Sequence, residues 1–179
     1  MTEDRERGGR QPIHDELQRV RVDLHGLVAN ASPTELRRRT DGTRWTNQQM
    51  LWHMAFGYLV VRRLLPLVRL FGRLPDRFSR TFAAVLNFGT RPFHVINYLG
   101  SVGGALVFHG PRLTRRLDRT IDQLHRSLDA ESDADLHRHM HFPVGWDPFF
   151  RERMTLIEVY AYGTQHYDFH RRQLTLTTA

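Results

Sequence analysis

The chain of 179 residues contains no cysteine. That removes disulfide frameworks, zinc–thiolate sites and any nucleophilic thiol of its own, so thiol chemistry would need a thiol brought from outside. It also contains no lysine, and all 26 of its basic residues are arginine. The glycines at 100, 103 and 104 are therefore not a phosphate loop, since no Gly-Lys-Ser/Thr ending follows them; they read instead as positions of close helix packing. Long apolar runs are lacking too. The most apolar stretch, Phe93 to Phe108, has 16 residues with a histidine and several glycines among them, short of the ~20 that a span needs. Residues 1–10 have no apolar signal core, from which a cytoplasmic location is expected. Acids are outnumbered 19 to 26, for a net charge of +7 and a pI near 10.8. The arginines are scattered, and no zinc-finger, recognition-helix or RNA-binding sheet signature accompanies them. Solvated helix faces account for them better than nucleic acid does.

Histidine is plentiful, with 11 copies. His166 and His170 stand four apart in a stretch of helical periodicity, which stacks them on one face with Cβ atoms ~6 Å apart. Alone, such a pair is as readily a surface or hydrogen-bonded pair as a metal site. A third histidine, His53, lies on another helical stripe with Met50, Gly57 and Val61. Both stripes are otherwise apolar or glycine, the kind of stripe that a bundle helix buries. A lone buried histidine is usually a satisfied core residue, but three arriving from two helices are more economically explained by one shared ion.

Both helices carry start signals. Thr46 with Gln49, and Thr155 with Glu158, have the spacing of capping boxes. Upstream, Ile13, Leu17, Val20 and Leu24 keep a 3–4 spacing that predicts a first amphipathic helix ending near Asn30. Residues 1–11 are expected to be a disordered lead, and 12–176 a single helical domain. Ser32-Pro33-Thr34-Glu35 opens a short helix. Pro66 should kink or end the His53 helix. Residues 75–110 predict two helices broken near Gly89–Pro92, either a buried pair or an apolar lid over a pocket. Leu113, Leu117, Ile121 and Leu124 mark a further long helix, and His137, His139 and His141 read as a solvated cluster in helix or loop. Trp146 and Phe149, in the loop 142–150, are expected to plug the bundle end rather than line a pocket.

Arg44-Trp45-Thr46 with Leu51-Trp52-His53-Met54-Ala55, and Met154-Thr155-Leu156 with His166-x-x-x-His170-Arg171-Arg172-Gln173-Leu174, resemble the DinB superfamily, which includes the YfiT-like metal-dependent enzymes. The resemblance implies an all-α, up-down four-helix bundle, here with additional helices inserted between helices 2 and 3. It implies His53, His166 and His170 as ligands of a divalent metal, zinc or nickel first, with iron or manganese also accommodated. It further implies either a metal-dependent hydrolase or an S-transferase using a low-molecular-weight thiol of the mycothiol or bacillithiol type, with a small-molecule substrate; a homodimer is a further expectation. No catalytic residue is assigned. Glu158, Tyr162 and Gln165 are candidates to hold the imidazole N–H groups, whereas Asp168 should point elsewhere. The reading from another class is a non-catalytic bundle with a binding, stress-related or dimerisation role.

Overall fold

Four long helices frame the molecule, because four stretches of the chain bury an apolar stripe at 3–4 spacing. They are α1 (Thr2–Asn30), α3 (Asn47–Phe71), α6 (Pro111–Asp129) and α8 (Leu156–Arg171). α3 packs against α6 and α8, and α1 packs against the same two, which closes a four-membered ring. Its interior is filled by Leu17, Val20 and Leu24 of α1, Met50, Met54 and Val61 of α3, Leu117, Ile121 and Leu124 of α6, and Leu156 and Val159 of α8. The computed structural model describes residues 2–177, with side chains from residue 9 onward.

The predicted caps are present. Thr46 and Thr155 each accept from the backbone N–H three residues on, while Gln49 and Glu158 reach back to the cap N–H. Ser32 and Glu35 do the same for α2 (Pro33–Arg37). Each box satisfies amide donors that would otherwise lack partners in the first turn.

The helix of Ile13 begins at Thr2, Met1 lying outside the described residues. Arg10 helps fix it, donating from Nη2 to Glu131 O at 2.8 Å and to Asp133 Oδ1. Of the two outcomes expected of Pro66, an end to α3 does not occur, since the helix runs five residues further. The buried Leu65 and Val68 on either side outweigh one lost backbone bond. His139–His141 is a strand, β1, pairing antiparallel with β2 (Arg153–Thr155) with Met140 opposite Met154. This corrects the expectation of a solvated cluster in helix or loop: Met140 points inward, and His141 is buried with Nε2 2.9 Å from Asp76 Oδ2. α7 (Asp133–Leu136) precedes this ribbon.

Between α3 and α6 lie α4 (Asp76–Phe88) and α5 (Thr90–Val107), broken at Gly89 as expected. They are not a buried pair. α4 buries only Ser79 and Ala83, and α5 only Ser101 and Ala105. Their corner exposes Val85, Phe88, Val95 and Ile96, with Phe88 95% exposed. α5 meets α3 closely at one glycine, since a Cβ on Gly104 would fall 2.1 Å from Trp52 Nε1. Gly100 and Gly103 have open space instead. Among the described residues no helix is long and apolar enough to cross a membrane.

Candidate metal centre

The contact between α3 and α8 is built on two glycines that exchange places with aromatic rings. A Cβ on Gly163 of α8 would come within 2.8 Å of the Tyr58 ring. One on Gly57 of α3 would come within 2.7 Å of His166 Nδ1. The His166 imidazole therefore lies flat on bare backbone, and the helices approach closely enough for His53, one turn before Gly57, to meet it.

His170 completes a near-equilateral triangle. Ring centroids are 4.9 Å apart for His53 and His166, 4.7 Å for His53 and His170, and 4.6 Å for His166 and His170. One ring nitrogen from each lies within 4.8 Å of the others, and no carboxylate joins them among the described residues. Two of the three are aimed by hydrogen bonds. His170 Nδ1 is 2.7 Å from Gln173 Oε1, an acceptor, so Nδ1 carries the proton and Nε2 presents a lone pair. His53 Nδ1 is 3.1 Å from Ser101 Oγ of α5, leaving Nε2 free, and the Trp45 ring packs on it at 4.3 Å.

Burial keeps all three rings neutral. It holds His53 at about 3. It holds His166 well below the ordinary value, with His53 and His170 adding to the effect. It lowers His170 against the pull of Gln173 and Asp147. Neutral imidazole is the form that ligates a cation. His166 Nδ1 is buried with no hydrogen-bond partner, which ordinarily costs about 1–3 kcal/mol. Three neutral imidazoles, His53 and His166 buried and His170 half-buried, with His166 Nδ1 left unsatisfied, fit a divalent cation as the missing partner.

Across this chain, residues 16–174 match the family model of the DinB superfamily. The chain belongs to the DinB superfamily. No curated protein and no solved structure matches it. Metal binding is general in the DinB superfamily, and in this chain the three histidines form a cluster whose ring nitrogens could hold an ion.

The other expected helpers fall elsewhere. Glu158 is occupied by the Thr155 cap and by Arg151. Gln165 is exposed, and Asp168 pairs with Arg19, pointing away as expected. Tyr162 does reach the site, but through Asp147: its hydroxyl donates to Oδ2 at 2.9 Å. That oxygen is 3.7 Å from His166 Nε2. Burial raises the Asp147 carboxyl, against the Phe149 N–H and the Tyr162 hydroxyl, which favour its charged form. Sequence reasoning missed Asp147, Ser101 and Gln173. Asp147 lies in a loop with no periodicity, Ser101 has no motif of its own, and Gln173 stands within the motif that carries the resemblance but is given no role there. Trp146 lines the cavity beside the site rather than plugging the bundle, whereas Phe149 packs on Phe169.

Proposed function

We propose that His53, His166 and His170 hold one divalent metal, zinc or nickel first, with a coordination position left open, and that the protein is a metal-dependent hydrolase or thiol S-transferase acting on a small molecule. The observation that carries this is the ligand set: three neutral imidazoles, two buried and His170 half-buried, with no fourth protein donor grouped with them among the described residues, beside a cavity of about 330 Å³. When bound, the ion supplies Lewis-acid activation of a nucleophile, lowering its pKa towards neutrality. The protein's own residues supply the rest. Gln173 and Ser101 fix the orientation of two rings. Apolar walls exclude bulk water. Asp147, facing the same cavity, accepts a proton at Oδ2 while Tyr162 holds that carboxylate in place. With no cysteine in the chain, a transferred thiol comes from solution.

Metal analysis of protein purified without an affinity tag tests the site. About one equivalent of metal is expected, lost in His53→Ala without loss of helical circular dichroism. Absence of metal from the native protein, with none taken up on titration of zinc or nickel, would leave the non-catalytic bundle as the better reading. If the metal is present, turnover on a panel of esters and of electrophiles paired with small thiols separates the two reactions.

A further inference from the structure

The cavity that opens beside the histidines is long, and its polarity is confined to one end. On α3 it is lined by His53, Phe56, Gly57, Val60, Leu64 and Leu67, a single helical stripe spanning fifteen residues. At 1.5 Å per residue this stripe extends about 21 Å. At the His53 end stand the polar groups: His166, Asp147 with Tyr162, and Asn97, which is one turn of α5 from the Ser101 that touches His53. At the Leu67 end the walls are Phe82 and Met140, with Phe71 stacked behind Phe82 at 5.1 Å. The outer walls come from α4 and α5, the pair inserted between the second and third long helices, and from the loop after β1. Among the described residues no arginine lines the space, and the ionisable groups that line it sit at the histidine end.

We propose that this cavity takes an uncharged, elongated apolar molecule, an alkyl or arylalkyl chain, with its one polar reactive group at the histidines and its tail along α3 beneath α4. This deepens the enzymatic reading above and rests on it for the word reactive; the binding itself does not depend on a metal. Charge selection follows from the walls. A carboxylate or phosphate on the tail would be desolvated with no cation to meet it, and an ammonium would be buried without an anion. A hydrophilic thiol has no partners in this slot, so in a transfer reaction the slot is the acceptor's.

The test uses the full chain, metal-free and metal-loaded, with a series of straight-chain 1-alkanols from six to fourteen carbons and the ω-hydroxycarboxylates and ω-aminoalcohols of equal length, which carry the charge at the tail end. Binding is read from tryptophan fluorescence, since Trp146 lines the cavity, and from the shift in Tm. Affinity should rise roughly fourfold per methylene, the effect of burying one CH₂. The analogues charged at the tail end should bind at least tenfold more weakly. Leu67→Trp, which fills the far end, should remove the gain from the longest chains while the metal content stays the same. No dependence on chain length, equal binding of the charged analogues, or an unaltered series in a folded Leu67→Trp protein would each overturn the proposal. If that variant does not fold, the wild-type series decides alone. The two readings fail separately: alkanol binding by a protein that takes up no metal sinks the metal centre and leaves the slot, and metal uptake without alkanol binding sinks the slot.

Discussion

His166 has a place in the structure only because Gly57 has no side chain. Its ring rests on the Gly57 backbone, where an added methyl would sit 2.7 Å from Nδ1 and 3.2 Å from Cε1, well inside van der Waals contact. Gly57→Ala is a favourable change by helix propensity, since alanine is the better helix former by about 1 kcal/mol. The imidazole must nonetheless move to admit it. The expected outcome is a protein with unchanged or increased helicity and metal affinity reduced at least tenfold, measured by competition with a chromophoric chelator. Unaltered affinity would show that the His166 position does not matter to the ion. At this scale the sequence was legible where chemistry repeats with helical spacing. His53, Gly57, His166 and His170 stand out by period, and the structure brings the three imidazoles together. Asp147 does not stand out, because a loop carboxylate beside a proline has no period, and only the folded chain brings it within 3.7 Å of His166.

The elements divide along the same line. Those fixed by local signals came out as expected: three capping boxes open α2, α3 and α8, and apolar periodicity defines α1 and α6. Those decided by distant partners did not. β1 exists because Met140 is buried against its surroundings and pairs with Met154, and α3 survives Pro66 because its flanks are buried. The helices α3 and α8 also share a dependence on pH. In an unfolded chain their histidines titrate near 6.5, whereas burial holds His53 at about 3 and the other two below the ordinary value. Above pH 6.5 neither state is protonated there and stability is full. As pH falls from 6.5 towards 3, the unfolded chain takes up protons that the folded one refuses, so stability drops. The slope is at most about 1.4 kcal/mol per pH unit for each histidine. Asp147, pushed upward by burial, works in the opposite sense and offsets part of the loss. Urea midpoints at pH 7.5 and 5.0 in the presence of chelator check this. The wild type should lose more stability between the two than His53→Leu does, and equal losses would contradict the account.

Over the whole molecule, charge is unevenly dealt. Between residues 42 and 117 there are eleven arginines and a single acid, Asp76, while the remainder of the chain carries the other acids. The basic half also holds the α4–α5 corner with its exposed Val85, Phe88, Val95 and Ile96. Since these side chains make little contact with the core, Phe88→Ser with Ile96→Ser should change stability by no more than about 0.5 kcal/mol per site. The double variant should, however, raise the concentration at which light scattering appears. A large fall in Tm would mean that the corner is packed more firmly than its exposure indicates. A different consequence follows from where the three histidines stand along the chain. His53 and His166 are more than a hundred residues apart, joined only through the inserted helices, α6 and the β1–β2 ribbon. An ion held between them would tie a very long loop, and the entropy of closing that loop is met by folding itself. A partly folded chain has no such triangle to offer. The metal content of a preparation would then report what fraction of its molecules have finished folding.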